Sequence, residues 1–278
     1  MQEQFSRSAG VLMPVSSLPG PYGIGTFGKK AYEFVDNLVK ARQKYWQVLP
    51  LGPTSFGDSP YASFSAFAGN PYFIDLDMLI EEGLLTKEFV DSKRWNIEDQ
   101  YVDYGLVYNS RFEVLRVAYE NSNHKELDEY KEFFTENEFW LEDYSLYRAC
   151  KDKYEGRPWS EWDKKIKFRE GETVGAFKEE LKDDMDFYKF IQFKFNEQWC
   201  KLKEYANENG ILIIGDIPIY VAMDSADVWQ NTGMFQLDEE LNPKKVAGVP
   251  PDAFSDLGQR WGNPIYNWEY LKENNYQF

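Results

Sequence analysis

Apolar and polar residues alternate along the chain in patterns that predict secondary structure. Between residues 31 and 43 the apolar side chains fall at i, i+3, i+4, i+7 and i+8, which is the spacing of one helical face. The apolar run AGVLMPVSSL, at residues 9–18, predicts a first strand, and YWQVLPLGP, at residues 45–53, predicts a second, buried strand. The order strand, loop, helix, strand indicates a βα repeat around a parallel sheet.

The same order returns near the end of the sequence. Residues 186–209 predict a second helix, and Gly210 is a natural stop after it. Its apolar stripe consists of Phe187, Ile191, Phe195, Trp199 and Leu202. The run ILIIGDIPIYV then begins as a continuous apolar stretch, which predicts a strand buried on both faces. Asp216 interrupts this run near its C-terminal end.

The sequence between these two blocks is helical in pattern, acidic and poor in strand signals. From Glu120 to Asp143 it holds nine acidic residues, which predict a solvated helical face. We therefore divide the chain into three parts. Residues 1–77 form the first βα units, residues 78–185 a mostly helical insertion, and residues 186–278 a third βα unit with a further loop.

Composition limits the classes of ligand. No apolar run approaches the roughly 20 residues that span a bilayer, so we expect no membrane association and a cytoplasmic protein. A net charge of −16 disfavours nucleic acid, whose phosphates need a basic groove. Aromatic residues make up 18% of the chain and suit ligands with flat apolar faces. Sugars are such ligands, because a pyranose ring combines a C–H face with a rim of hydroxyls.

The residues most often used in metal and nucleophilic sites are scarce. Cys150 and Cys200 lack metal-ligand spacing, and we expect two buried free thiols. His124 is the only histidine in the sequence and lies in a polar run that predicts a turn between helices. We therefore expect no histidine-rich metal site and no Ser-His-Asp triad.

The stretch YGIGTFG contains a G-x-G-x-x-G motif at Gly23, Gly25 and Gly28. A dinucleotide turn also needs a tight strand-to-helix connection and an acidic residue about 20 positions on for the ribose. Here prolines stiffen a longer approach, and the second strand ends in VLPLGP without an acid. We interpret the glycines as shaping a long loop.

Three loops that follow predicted strands carry the candidate chemistry. They are residues 55–77, the segment around Asp216, and residues 248–268. In a βα barrel such loops meet at the C-terminal ends of the strands, where ligands bind. A carboxylate ending a buried strand needs a partner or a ligand, so Asp216 either binds a ligand or forms a structural ion pair.

Four segments closely resemble the 4-alpha-glucanotransferases, the amylomaltases or disproportionating enzymes of the alpha-amylase superfamily. They are LMPVSSLPGPYGIGTFG, LPLGPTSFGDSPYASFSAFAGNPYFIDL, GDIPIYVAMDSADVW and AGVPPDAFSDLGQRWGNPIYNW. The resemblance implies a (β/α)8 barrel with helical insertions and a retaining transfer of glucan between maltooligosaccharides. Two carboxyls about 5–5.5 Å apart perform such a transfer, without a metal or cofactor.

The resemblance also implies which residues bind the glucan. Tyr61 matches a tyrosine that stacks on the sugar beside the scissile bond, and Asp216 matches an aspartate that bonds donor-sugar hydroxyls. Phe254 matches an aromatic proposed to guide the acceptor, although Ala253 replaces its usual aromatic neighbour. The full substrate-binding set is Ser59, Tyr61, Asp216, Asp252, Phe254, Gln259 and Trp261.

The sequence departs from the family by lacking its catalytic motif. In the 4-alpha-glucanotransferases the catalytic nucleophile lies in an R-x-D-H motif past NPIYNW. No R-x-D-H motif occurs in this sequence. We expect all catalytic carboxyls to lie beyond Phe278. We also expect this chain to supply about three of the eight barrel strands and to have no transferase activity alone. An unclosed barrel would also leave an apolar edge open to self-association. Two hypotheses follow: an N-terminal enzyme fragment, which we favour, and a non-catalytic glucan-binding module.

Overall fold

The computed structural model describes residues 7–55, 57–98 and 100–276, which form a mixed α/β fold. The strands are β1 (Gly10–Leu12), β2 (Tyr45–Gln47), β3 (Leu212–Ile214), β4 (Val246–Val249) and β5 (Gln259–Pro264). The helices are α1 (Lys29–Lys40), α2 (Leu76–Glu81), α3 (Lys87–Asp91), α4 (Tyr104–Glu120), α5 (Asp128–Lys153), α6 (Lys164–Lys167), α7 (Gly171–Glu180), α8 (Lys182–Glu208), α9 (Ala226–Gln230) and α10 (Trp268–Glu273).

The chain divides into two compact units, each assembled from three separate segments. The first unit contains residues 1–51, 69–135 and 190–217, with the described residues of those ranges forming its structure. The second contains residues 52–68, 136–189 and 218–278. Two of the five divisions fall inside the long helices α5 and α8.

The first unit is built around a parallel sheet, as the βα pattern predicts. β1 pairs with β2, and β2 pairs with β3, in the order β1-β2-β3. The register aligns Val11, Trp46 and Ile213 across the three strands. α1 and α8 contribute side chains to the core against this sheet, including Val35 and Leu202, both fully buried. Each strand is only three residues long, much shorter than the apolar runs that predict it.

The prediction that the third strand is buried on both faces is wrong. Leu212 is 48% exposed and Ile214 is 42% exposed, whereas Ile213 packs against the core. Successive strand residues point to opposite faces, so one face of β3 meets the core and the other meets solvent. Leu12 of β1 is also exposed. Asp216 therefore follows a half-exposed strand, and it is itself half-buried.

The glycines of the G-x-G-x-x-G motif shape the loop before α1, as predicted. Gly23 has a φ of +78°, a conformation that L side chains rarely adopt. A Cβ on Gly25 would collide with the carbonyl oxygen of Val15, and one on Gly28 with the carboxylate of Asp75. That carboxylate accepts a hydrogen bond from Thr26 Oγ1 at 2.6 Å. A protein carboxylate thus occupies the space beside the third glycine.

The acidic run and the cysteines show where pattern reasoning holds and where it fails. Seven of the nine acids are exposed, while Glu142 and Asp143 are half-buried and paired with Lys189 and Arg169. Cys150 is a buried free thiol as predicted, but Cys200 is exposed. Cys200 follows Trp199, and each step along a helix turns by about 100°, which carries its side chain off the apolar stripe.

None of the helices in the described ranges is both long and apolar enough to cross a membrane.

Candidate functional site

The second unit contains a pocket of 510 Å³. Its walls come from three stretches of chain that are far apart in sequence: residues 59–62, residues 218–223 and residues 261–263. Its lining residues are Ser59, Tyr61, Ala62, Pro218, Ile219, Tyr220, Ala222, Met223, Trp261, Gly262 and Asn263. The first and third stretches belong to loops that carry candidate chemistry in the sequence.

The first wall is a loop that folds back on itself. Thr54 and Ser63 form an isolated antiparallel bridge, which closes the loop around the turn containing Asp58, whose φ is +55°. The Tyr61 N–H donates to Ser59 Oγ at 3.3 Å, so this hydroxyl sets the backbone that presents the tyrosine ring. Tyr61 is 47% exposed and lines the pocket.

The third wall belongs to a β-hairpin, where the sequence pattern predicts only a loop. β4 pairs antiparallel with β5, with a register shift between Val246 and Gly248. Gly258 allows the tight return, because a Cβ there would collide with the Val249 carbonyl. On β5 the Trp261 indole N–H donates to Gln259 Oε1 at 3.0 Å, which orients the indole ring.

The middle wall, residues 218–223, has no regular secondary structure and is held by side chains from elsewhere in the unit. The Tyr266 hydroxyl donates to the Ile219 carbonyl at 3.2 Å, and Asn263 Nδ2 donates to the Val221 carbonyl at 2.8 Å. The Trp159 indole N–H donates to the Met223 carbonyl at 2.7 Å. The backbone carbonyls of three alternate residues are thus paired, which fixes an irregular segment.

Asp224 anchors the end of this middle wall. Its carboxylate accepts hydrogen bonds from the Tyr147 hydroxyl at 2.8 Å, Lys151 Nζ at 2.7 Å and the Trp159 backbone N–H at 3.1 Å. Burial, followed by the nearby charge of Asp224, raises the pKa of Tyr147, so its phenol stays protonated and donates. Tyr147 and Lys151 of α5, together with Trp159, therefore brace the pocket through one carboxylate.

Asp227 holds the base of the first wall. Its side chain is 4% exposed, and its Oδ2 accepts from the Ala66 N–H at 2.9 Å. Next to it the Ala226 N–H donates to the Phe64 carbonyl at 2.8 Å. Burial raises the pKa of Asp227 to about 6, and the N–H donors oppose that shift. Of the described acidic residues near the pocket, Asp227 has the most strongly shifted pKa.

Comparison with known proteins identifies the family. A family profile described as 4-alpha-glucanotransferase matches residues 13–278. The chain belongs to the 4-alpha-glucanotransferase family. A 4-alpha-glucanotransferase from Clostridium butyricum is 54% identical over 267 residues, which are 96% of this chain and 55% of the relative. Another, from Thermus thermophilus, is 46% identical over 279 residues, 99% of this chain and 55% of the relative. The chain thus spans about half the length of the curated relatives it matches.

Solved structures agree with this assignment. An amylomaltase from Streptococcus agalactiae, solved in complex with acarbose, superposes with a TM-score of 0.93 at 45% identity. The match covers 98% of this chain and 55% of that one. An amylomaltase from Corynebacterium glutamicum, at 19% identity and a TM-score of 0.73, shares the fold over 97% of this chain and 38% of that chain.

The structure brings together three of the seven residues that the family resemblance selects. Ser59, Tyr61 and Trp261 line the pocket. Gln259 lies outside the lining but bonds to Trp261. Asp216 belongs to the first unit, two residues past β3.

The other two selected residues, Asp252 and Phe254, lie in the turn between β4 and β5. Asp252 Oδ1 accepts from the backbone N–H groups of Phe254 at 2.8 Å and Ser255 at 2.9 Å. The Asp252 carboxylate thus fixes the backbone of the turn. Phe254 is 95% exposed at the tip.

Sequence reasoning missed most of the middle wall. Tyr220 lies within the apolar run ILIIGDIPIYV, whose hydrophobicity predicts a strand. The strand ends at Ile214, and the residues after it turn into the pocket. Pro218 is the signal that was available, because proline breaks a central strand.

The chemistry of the pocket is that of a binding site for a neutral, hydroxyl-rich ligand. The described residues that line it supply aromatic rings, a serine hydroxyl and an asparagine amide, and none of them carries a charge. Within the described ranges, no cluster of three His, Cys, Asp or Glu side chains could hold a metal ion. The described residues that line the pocket include no carboxyl pair.

Proposed function

We propose that this chain forms a glucan-binding part of a 4-alpha-glucanotransferase, which transfers α-1,4-glucan segments between maltooligosaccharides with retention of configuration. The observation that carries the proposal is the convergence of Ser59, Tyr61 and Trp261 in one uncharged pocket of a family member. The acarbose bound to the Streptococcus agalactiae amylomaltase supports a sugar-like ligand for this family.

Binding follows from the chemistry of the walls. The C–H face of a glucose ring packs on an aromatic ring, which removes apolar surface from water. The Trp261 indole N–H is already bonded to Gln259, so this residue offers its ring face. Ser59 Oγ accepts from the Tyr61 N–H and retains its own O–H for a sugar hydroxyl. Separately, the family resemblance implies that Asp216, in the first unit, bonds hydroxyls of the donor sugar.

The chemical step needs two carboxyls about 5–5.5 Å apart, one as nucleophile and one as acid and then base. We propose that both come from residues outside this sequence. Phe254 and Trp261 on the hairpin cover the covalent intermediate, which excludes water and favours a sugar acceptor. Asp252 keeps the hairpin turn in the shape that presents Phe254.

We propose that the three-stranded sheet is part of a (β/α)8 barrel. Leu12, Leu212 and Ile214 supply apolar side chains to its solvent-facing side, as residues of a barrel interior do. The half-buried Gln47 lies between Leu12 and Ile214 on the same face. In this chain alone, the same face and the strand edges beside it would favour self-association. A cytoplasmic location stays a prediction of the sequence.

Calorimetric titration with maltoheptaose tests the pocket. We expect the chain to bind this sugar and Trp261→Ala to weaken binding about tenfold or more, the value of one lost ring contact. Tyr101→Ala is the matched control, because it removes an exposed aromatic ring in the other unit. Equal affinity of the Trp261→Ala variant and the unchanged chain would contradict the assignment of the pocket.

A turnover assay separates binding from catalysis. We expect the 278-residue chain to release no glucose from maltotriose and to form no longer oligomers, because the pocket wall presents no carboxyl pair. Chromatography of the sugars after long incubation measures this, and clear turnover would refute it.

The second candidate function is that of a non-catalytic glucan-binding module. The one observation that favours it is that the pocket wall is uncharged. An R-x-D-H strand encoded in frame after residue 278 would decide for the enzyme.

A further inference from the structure

Four aromatic rings form a continuous row that begins inside the pocket and ends outside it. The first two, Trp261 and Tyr220, both line the pocket, with ring centroids 6.5 Å apart. Tyr220 is nearly parallel to Tyr266, at 6.1 Å and an interplanar angle of 15°. Tyr266 in turn contacts Trp268 at 5.5 Å. All four rings belong to the second unit.

The row is held rigidly. Phe235 is buried behind Tyr266, with the two rings stacked at 5.4 Å. The Tyr266 hydroxyl donates to the Ile219 carbonyl, and Gln236 Nε2 donates to the Tyr266 carbonyl at 3.1 Å. Asn267 caps α10 by accepting from the Tyr270 N–H at 3.3 Å, which fixes the helix start at Trp268. Rings fixed in this way lose little side-chain entropy when a ligand packs on them.

The outer end of the row faces solvent. Trp268 is 61% exposed, and Ile219, which lines the pocket and accepts a hydrogen bond from Tyr266, is also exposed. Packing inside the unit therefore does not explain why a tryptophan stands at this position. Contiguous exposed apolar surface of this kind marks a binding site more often than chance.

We propose that this aromatic row extends the pocket into a track for the α-glucan chain, with Trp268 as its outer contact. The inference rests on the proposed function of the pocket. A glucan is the occupant because the row is continuous with that pocket and because its rings supply faces for successive sugar units. The chain's net charge of −16 disfavours a polyanion on the same surface. Short sugars fill the pocket alone, whereas longer ones reach Trp268.

Comparing ligands of two lengths tests the track. Binding of maltotriose and of maltoheptaose to the chain is measured by calorimetry for Trp268→Ala, for the ring-preserving Trp268→Phe and for Phe139→Ala. The Phe139→Ala variant is the matched control, because Phe139 is similarly exposed in the same unit but lies outside the row. For Trp268→Ala we expect about tenfold weaker maltoheptaose binding, which corresponds to about 1.4 kcal/mol, and unchanged maltotriose binding. Trp268→Phe and Phe139→Ala keep the original affinity for both.

The outcomes separate the two proposals. If the unchanged chain binds both sugars and Trp268→Ala alters neither, or weakens both equally, the track is refuted while the pocket stands. If the unchanged chain binds neither sugar, the proposed function fails and the track fails with it. Thermal unfolding of each variant confirms that the loss of an exposed ring has left the fold intact.

Discussion

The Asp227→Asn variant is expected to be more stable than the unchanged chain by about 3 kcal/mol at pH 8. The carboxylate is buried, and its pKa of about 6 lies roughly two units above the usual value of an aspartate. Each unit corresponds to about 1.36 kcal/mol of preference for the neutral form. An asparagine is neutral at every pH, and its amide oxygen can still accept the Ala66 N–H.

The sign of the pH dependence follows from the raised pKa. The folded chain binds this proton more tightly than the unfolded chain, so the stability contributed by Asp227 is complete below about pH 3.8 and is lost as the pH rises through about 6. The advantage of Asp227→Asn should therefore shrink to about 1.5 kcal/mol at pH 5.

Urea unfolding at pH 5, 6, 7 and 8 measures this advantage. Asp256→Asn, which removes an exposed carboxylate, controls for the change in net charge and should show no such trend. A loss of stability in Asp227→Asn at pH 8 would mean that hydrogen bonds to the ionised carboxylate outweigh its burial.

Removing the other anchor should have the opposite effect. We expect Asp224→Ala to lower the free energy of unfolding by about 3 kcal/mol, because it leaves a buried ammonium without its counter-charge and a buried phenol without its acceptor. The ammonium belongs to Lys151, whose side chain is 8% exposed and keeps the carbonyls of Gly156 and Arg157 and the face of the Phe64 ring, none of which carries a negative charge. Tyr147 supplies the buried phenol.

A graded set of variants shows how the loss is divided. Asp224→Asn keeps an acceptor for Tyr147 and the Trp159 N–H, so it should lose about half as much stability in urea unfolding. In a Lys151→Met background, Asp224→Ala should cost clearly less, because the uncompensated charge has been removed. If Asp224→Ala changed the free energy of unfolding by less than about 0.5 kcal/mol, other contacts would hold Tyr147, Lys151 and Trp159 in place.

Local patterns predicted the elements that bury a continuous stripe. α1 and α8 lie within a few residues of their predicted positions, because their apolar residues recur with the helical period and glycine flanks each helix. The three parallel strands were also predictable in order, but not in length or in burial. A continuous apolar run indicates a core strand, yet the exposed side chains of β3 show that burial depends on what covers each face.

The candidate site was predictable only where its residues stand in distinctive motifs. Tyr61 and Trp261 lie in segments with a strong family resemblance, and both line the pocket. Asp224 and Asp227 were not singled out, because their roles depend on partners far away in the sequence, such as Lys151 and Ala66. The β4–β5 hairpin was missed for a related reason: its prolines and glycines signal a loop, whereas its pairing partner is apparent only after folding.

The scattered origin of the pocket walls has a consequence for how the protein is made. Tyr61 and Trp261 are 200 residues apart, and the middle wall lies between them in the sequence. At a synthesis rate of about 5–20 residues per second, roughly 10–40 s pass between the emergence of the first wall and the last. During that time the pocket lacks at least one of its three walls. A ligand that needs all three walls therefore cannot assist folding until Trp261 has emerged.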